Sequence, residues 1–144
     1  MIAVLDTNVL VSGLLHVHST PGRVLDVVLL GRIQPAFDDR ILAEYAAVLA
    51  RPRFASAISG EDRDSILNHV RRVGRHVAAG PLPGLGPAGL PDPDDLCFAE
   101  VAVAAGAQAI ITGNARHFVF FADNPWKVEV LAPGEALDRL CAES

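Results

Sequence analysis

The chain has 144 residues, of which 51% are hydrophobic and 20% are charged. This length suits one α/β domain of about 100–150 residues, and the apolar content is too high for an intrinsically disordered chain. The apolar runs fall short of the roughly 18–20 residues that span a bilayer, so we expect no transmembrane helix. We interpret residues 1–144 as a single domain.

The net charge of −5 argues against simple affinity for a nucleic-acid backbone, because that affinity comes from Lys and Arg side chains that neutralise phosphates. Local charge can differ from the total. Arginine binds phosphate in a planar, bidentate geometry, and two groups of arginines are close in sequence: Arg51 with Arg53, and Arg71, Arg72 with Arg75. Each group is either a phosphate contact or an ordinary solvated helix face.

The first predicted element is a strand over Ile2–Leu5, because a short apolar run is typical of a parallel strand covered on both faces. Asp6 follows it directly. No basic segment precedes this run, so it does not read as a secretory signal, and we expect a cytoplasmic location. A helix continues after Asp6, and Ser19 with Pro21 predicts a second helix that ends before Gly31.

The next predicted elements are a strand over Ile33–Phe37 and a third helix that Asp38 or Asp39 caps and Pro52 ends. Glu44 lies in this third helix at the border of its apolar face. A fourth helix is predicted from Glu61 to about Arg75, with the arginines outward and three apolar residues inward: Ile66, Val70 and Val73.

The stretch Gly80–Pro93 is dominated by glycine and proline, which exclude a regular helix or a central strand. We interpret it as a long loop, a flap or spacer beside the site. Four elements follow it: a helix from Asp94 or Asp95 to Gly106, strands over Ala109–Ile111 and Val128–Leu131, and a helix from Pro133 through Leu140. The alternation predicts an α/β fold with a central, mostly parallel sheet of about four or five strands flanked by helices on both faces.

Three acidic residues could meet at one edge of this sheet. Ligands of open parallel sheets bind beyond the carboxyl ends of the strands, where Asp6 and the turn over residues 112–114 lie. Glu44 and Asp95 each border the apolar face of a helix. Converging carboxylates repel one another unless a cation neutralises them, and oxygen ligands favour Mg²⁺ or Mn²⁺. Such a cation can activate water for attack on a phosphodiester.

Each of these residues also has a structural explanation. Asp6 could only cap the following helix, a role worth about 1 kcal/mol. The acids from Asp92 to Asp95 could be solvated side chains favoured by a helix N-terminus. Glu44 is an ordinary helix former, and Asn114 is a common turn residue. The set, rather than any single member, points to a metal site.

Two other groups could be mistaken for ligands or be substrate contacts. His16 and His18 are two positions apart, so they do not share a helix face and do not form a metal pair. Arg116 and His117 follow the turn that contains Asn114, and they either contact phosphate or lie on the surface.

The order of these motifs resembles that of PIN-domain ribonucleases. Residues 6–12 (DTNVLVS) are similar to the opening motif of that family, and Glu44 stands in a helix where the family has its second acid. Residues 92–98 (DPDDLCF) with Ala102, and then residues 112–114 (TGN), resemble the third and fourth acidic regions. The resemblance runs from Ile2 to about Pro133 and is closest to toxin components of toxin–antitoxin pairs, related to the VapC toxins.

The resemblance implies a PIN-like three-layer sandwich and an endoribonuclease that hydrolyses RNA phosphodiester bonds with Mg²⁺ or Mn²⁺. It implies that Asp6, Glu44 and Asp95 hold the metal. Asp95 fits the third acid better than Asp92, since Phe98 and Ala102 then face inward. An antitoxin partner and a homodimer are also implied. The residues that would support the metal or the substrate are Asn8, Ser12, Asp92, Thr112 and Arg116.

Asn114 departs from the family, because many PIN nucleases carry aspartate there. An amide oxygen can still bind a metal, but the site loses one negative charge. One alternative is therefore a PIN fold with a weakened site that serves as an RNA-binding or protein-interaction module. A second alternative, a haloacid-dehalogenase-like phosphatase, needs another aspartate where Asn8 stands and a lysine near the site, whereas the single lysine is Lys127.

Overall fold

The computed structural model describes residues 1–82, 95–121 and 125–143. Its five strands form one parallel sheet in the order β3-β2-β1-β4-β5. This confirms the predicted α/β fold, with the sheet flanked by helices. In chain order the elements are β1 (Ile2–Leu5), α1 (Thr7–Leu15), α2 (Thr20–Leu29), β2 (Gln34–Phe37), α3 (Asp39–Leu49), α4 (Gly60–Val73), β3 (Arg75–His76), α5 (Leu96–Ala104), β4 (Ala109–Ile111), β5 (Glu129–Leu131) and α6 (Pro133–Glu143).

Strand β1 occupies the centre of the sheet. The chain proceeds outward from β1 to β2 and β3, then returns to pair β4 against the other side of β1, with Leu5 opposite Ile111. Strand order reverses at this pair, and the crevice beyond such a reversal is where ligands of open α/β sheets bind. The backbone N–H of Asp6 extends the pairing by donating to Ile111 O at 2.9 Å. Asp6 is therefore fixed at the carboxyl edge.

Side-chain caps set the starts of three helices. The Ser19 hydroxyl accepts from the N–H of Gly22, which begins α2 as predicted. For α3 the sequence left two candidates, and Asp38 is the cap: its Oδ1 accepts from Ile41 N at 3.0 Å. Ser59 caps α4 in the same way. These caps explain why the sequence-based helix starts are accurate to within one residue at α2 and α3.

The end of α4 was predicted incorrectly. Val73 is 45% exposed rather than inward, and Arg75 belongs to the edge strand β3 instead of the helix. Gly74 makes the close contact with β2, because a Cβ there would lie 2.7 Å from Pro35 O. The chain can leave the helix and enter the sheet only if this position is small. Strand β3 consists of two exposed residues, so no apolar pattern in the sequence predicted it.

Other boundaries differ less from the prediction. Strands β2 and β5 begin one residue later than expected, and α5 begins at Leu96 and ends before Gly106. Gly106 has a φ of +63°, which suits a glycine that follows a helix. Most of the predicted loop, residues 83–93, lies outside the described residues, as does Asp94.

An ion pair network with two buried carboxylates ties α3 to α5. The Arg40 guanidinium donates to Asp38 Oδ2 and to Glu100 Oε1, each at 2.7 Å. Both carboxylates are almost fully buried, whereas Arg40 is half exposed. Since α3 carries Glu44 and α5 begins beside Asp95, this network fixes two helices that border the same crevice.

No helix within the described ranges is long and apolar enough to cross a membrane.

Candidate functional site

A pocket of about 390 Å³ opens at the carboxyl edge of the sheet. Its wall combines three carboxylates, two amides and a histidine with apolar side chains and two arginines. The lining residues are Asp6, Thr7, Asn8, Val11, Ser12, Glu44, Val48, Arg51, Arg53, Phe54, Asp95, Phe98, Asn114 and His117. The three acids that the sequence singled out therefore line one pocket, although they come from distant parts of the chain.

Asp6 is buried at the floor of this pocket, with only 8% of its surface exposed. Its Oδ2 accepts a 2.6 Å hydrogen bond from the hydroxyl of Thr112, and its side chain does not cap α1. Burial raises the pKa of Asp6 above its ordinary value. The Thr112 hydrogen bond, the nearby N–H groups of Thr7 and Asn8, and the charge of His117 offset part of this rise. A simple capping role does not account for this environment.

Glu44 is held between two anchored residues. Its Oε2 accepts a short hydrogen bond from the hydroxyl of Thr7, the residue that follows Asp6. Its neighbour Tyr45 is fully buried and donates its phenol hydrogen to Leu5 O at the end of β1. Burial raises the pKa of the Tyr45 phenol, with the charges of Asp6 and Glu44 adding to the effect. Helix α3 is thus fixed to β1 at the turn that presents Glu44.

Asp95 enters the pocket from the residue before α5. It is 8% exposed, and its side chain does not cap the helix. His117 Nδ1 lies 3.5 Å from Asp95 Oδ2. His117 follows β4 in the 3-10 segment Ala115–Phe121. The backbone N–H of His117 donates to Asn114 O at 2.9 Å, which holds the start of this segment. The pair brings a cationic group to the acidic wall whenever the imidazole is protonated.

Amide and hydroxyl groups complete the wall. Asn8 and Ser12 lie one turn apart on α1, and both line the pocket. Asn8 Oδ1 is buried, and no hydrogen-bond donor reaches it among the described residues. Asn114 lines the same pocket, and its N–H donates to the Thr112 hydroxyl at 3.0 Å. These groups supply neutral oxygen atoms beside the carboxylates.

Two of the sequence-based supporting residues, Thr112 and Arg116, do not line the pocket, and a third is not described. Thr112 is fully buried beneath Asp6 and contacts the site through its hydroxyl alone. Arg116 is exposed and is not among the residues that line the pocket. Asp92 lies outside the described residues.

Sequence reasoning missed several residues of the wall. Thr7 was read only as part of a motif, although its hydroxyl orients Glu44. Phe54 was not considered at all. The spacing of Glu44 and Val48, one turn apart on α3, with Arg51 shortly after the helix end, could have indicated that Val48 and Arg51 lie near Glu44.

The donor set bears on whether a metal ion fits. Within residues 1–82, 95–121 and 125–143, no three His, Cys, Asp or Glu side chains form a compact metal cluster. Mg²⁺ needs no such cage, since it keeps several waters and binds through one or two carboxylates together with substrate phosphates. The donors here are oxygens, and the buried Asn8 Oδ1 faces no hydrogen-bond donor. This chemistry fits a hydrated Mg²⁺ or Mn²⁺ better than a fully caged ion.

Comparison with protein families agrees with this geometry. A family model described as a PIN domain matches residues 3–116, which include every described pocket residue except His117. No curated protein and no solved structure gives a significant match. PIN domains are generally nucleases. Because the family model covers most of the sequence, the chain belongs to the PIN-domain family.

Proposed function

We propose that this chain is a metal-dependent endoribonuclease that hydrolyses RNA phosphodiester bonds, with Asp6, Glu44 and Asp95 as its metal-binding acids. The observation that carries this proposal is the convergence of the three acids on one pocket at the carboxyl edge of a PIN-domain sheet. The rise in the pKa of Asp6 caused by burial shows that its negative charge is costly there. A cation would remove that cost.

The pocket residues would orient the metal ion and the substrate, and would not themselves react with the RNA. Asp6 is held by Thr112, and Glu44 is held by Thr7, so the directions of both carboxylates are fixed before a ligand arrives. Asn8, Ser12 and Asn114 offer further polar groups to the ion's waters or to the substrate. A bound Mg²⁺ or Mn²⁺ would supply Lewis-acid stabilisation of charge on the phosphate oxygens and would make an attacking water more acidic.

The closer biological assignment rests on the resemblance of the sequence motifs to VapC-related proteins. We propose that the chain acts as the toxin of a toxin–antitoxin pair, in the cytoplasm, as a homodimer with a cognate antitoxin protein. We further propose that residues 1–144 act as one PIN-like domain. Expression of the wild-type chain should then slow growth of its native host, and co-expression of the antitoxin should restore it. Harmless wild-type expression would contradict the toxin role.

The decisive experiment is RNA cleavage by purified protein with Mg²⁺, with Mn²⁺ and with a chelator. We expect cleavage only with a metal, and a strong loss in Asp6→Asn, Glu44→Gln and Asp95→Asn. Asp26→Asn, which changes an exposed acid on α2, is the matched control and should cleave like the wild type. Cleavage that survives the Asp6 and Asp95 substitutions would overturn the metal-site assignment.

Asn114 favours the alternative function, a PIN fold with a weakened site that binds RNA or protein without cleavage. The variant Asn114→Asp separates the two, because it restores a fourth carboxylate on the pocket wall. If the wild type is inactive on every RNA but Asn114→Asp cleaves, the native chain is the binding module. If both cleave and the variant needs less Mn²⁺, the wild-type chain is an enzyme with a less charged metal site.

A further inference from the structure

The rim of the pocket carries positive charge that the proposed chemistry does not use. Arg51, Arg53 and Phe54, here named the arginine rim, follow the end of α3 and line the same pocket as the three acids. Arg51 lies two residues beyond the last residue of α3, and it lines the pocket together with Glu44 and Val48 of that helix. The rim therefore stands directly beside the proposed metal site.

Neither guanidinium of the rim has a carboxylate partner among the residues that the structure describes. Arg40, Arg63 and Arg139 each pair with a carboxylate, but within the described ranges no such pair involves Arg51 or Arg53. Both side chains are exposed. The Arg53 guanidinium instead lies over the Phe54 ring, 4.7 Å from its centroid. Its outer face and its N–H groups are open to a ligand.

The backbone of the rim is held in a fixed shape. Pro52 starts a 3-10 turn, Pro52–Phe54, in which Phe54 N donates to Arg51 O at 3.0 Å. The next turn is closed by Ile58 N donating to Phe54 O at 2.8 Å, and Ile58 is buried. Phe54 is half buried against the core. A ligand would thus find the ring and its stacked guanidinium already in place.

The second arginine group of the sequence lies near the amino ends of the strands, away from the carboxyl ends where the pocket opens. Helix α4 ends where the Gln34 side chain donates to Val73 O at 3.0 Å, and Gln34 is the first residue of β2. Arg71 and Arg72 therefore stand near the amino ends of the strands, whereas Asp6 and the pocket stand at the carboxyl ends. Of the two groups, only the arginine rim lines the pocket.

We propose that the arginine rim is a subsite for single-stranded RNA, in which Arg51 binds a phosphate next to the cleaved one and a base stacks on the Arg53–Phe54 pair. This inference rests on the proposed ribonuclease function and assigns the contacts beside the cleaved bond to Arg51, Arg53 and Phe54. Unpaired bases stack on aromatic rings and on arginine planes, and bases inside a duplex are not available for this. Phe54 is a positioning residue that acts through Arg53.

The test is the affinity for a short labelled oligoribonucleotide, measured at low salt in a chelator, with the strand alone and annealed to its complement. We expect the wild type to prefer the single strand. Arg51→Gln and Arg53→Gln should each weaken single-strand binding about tenfold, and Arg51→Gln, which removes the phosphate contact, should reduce the slope of log affinity against log salt by about 0.7. Arg72→Gln, at the other edge, is the matched control and should leave both quantities unchanged.

Two further variants test the stacking. Arg53→Lys keeps the charge but lacks the plane, so it should retain the salt slope and lose the preference for the single strand. Phe54→Leu should lose that preference too, and Phe54→Tyr should restore it, whereas a purely structural Phe54 would change only thermal stability. Equal binding of strand and duplex, equal loss in Arg72→Gln, or no binding by the wild type would overturn the proposal. Binding without cleavage in any metal would instead contradict the proposed catalysis alone.

Discussion

Thr112 at the end of β4 donates a 2.6 Å hydrogen bond to Oδ2 of Asp6 at the end of β1. The two strands are paired neighbours, with Leu5 opposite Ile111, so the register of the sheet brings the two side chains together. The same hydroxyl accepts the N–H of Asn114. One buried threonine therefore fixes both the direction of a pocket carboxylate and the turn that carries a pocket amide.

Replacing this hydroxyl should change both stability and pH dependence. Thr112→Val removes the side-chain donor of the buried Asp6 carboxylate, which should lower the unfolding free energy by about 1–3 kcal/mol. Because the hydrogen bond lowers the pKa of Asp6, the variant should also need a higher pH to ionise that carboxyl. Urea denaturation and the acidic limb of the pH profile of RNA cleavage measure the two effects. Thr112→Ser keeps the hydroxyl, and a valine variant that matches it in both measurements would contradict this role.

The hydroxyl of Thr7 should matter for metal binding through Glu44. Thr7→Val preserves the shape of a nearly buried side chain but removes its hydrogen bond to the Glu44 carboxylate. Groups that orient a metal ligand typically change metal affinity or activity by about 10–100-fold. We expect a loss in this range in a Mn²⁺ titration followed by calorimetry, with Thr7→Ser close to the wild type. The exposed Thr20 gives the control Thr20→Val. Unchanged Mn²⁺ affinity in Thr7→Val would count against the role.

Removing the Arg40 guanidinium should lower the stability of the fold rather than the activity of the site. Arg40→Met leaves two buried carboxylates, Asp38 and Glu100, without their shared cation. Breaking a buried pair this way costs about 3 kcal/mol, at the low end of the usual range because Arg40 itself is half exposed. The double variant Arg40→Met/Glu100→Gln should recover part of the loss, since one uncompensated charge is gone. Urea denaturation of the single and double variants measures the coupling, and strict additivity would contradict it.

The sequence predicted the features that depend on local pattern. Short apolar runs gave β1 and β4 with correct bounds, and the caps Ser19 and Asp38 gave the helix starts, because both signals lie within a few neighbouring residues. The parallel sheet followed from the alternation of strands and helices. The convergence of Asp6, Glu44 and Asp95 on one edge followed from their positions at strand ends and helix borders.

The features that the sequence missed depend on long-range contacts. Val73 fits the apolar stripe of α4 but is exposed, because the small Gly74 makes the contact with β2 instead. Strand β3 is recognised only by its pairing with β2. The hydrogen bond of Thr7 to Glu44 joins residues far apart in the chain, and the difference between the two arginine groups is set by the sheet edge on which each lies. No local pattern contains that information.

The burial of Asp6 should make the free protein less stable as pH rises. Burial raises the pKa of Asp6 above its ordinary 3.8, so the folded chain keeps this proton at pH values where the unfolded chain has lost it. The folded state then binds more protons, and its stability declines from about pH 3.8 upward until the folded pKa is passed. The neutral side chain in Asp6→Asn escapes this penalty. Its unfolding free energy in a chelator should exceed that of the wild type at neutral pH.

The pH dependence of the stability gain in Asp6→Asn, and its reversal by Mn²⁺, distinguish this effect from a stabilisation that is the same at every pH. The gain should be about 1.4 kcal/mol for each unit by which the pKa is raised, and it should vanish below pH 3.8, where both side chains are neutral. Thermal unfolding in buffers from acidic to neutral measures it, with the exposed-site variant Asp26→Asn showing no such trend. Added Mn²⁺ should stabilise the wild type and not Asp6→Asn, which reverses their order. A variant no more stable than the wild type at neutral pH would mean that burial does not penalise the Asp6 charge, and the strongest physical reason for a cation in this pocket would be lost.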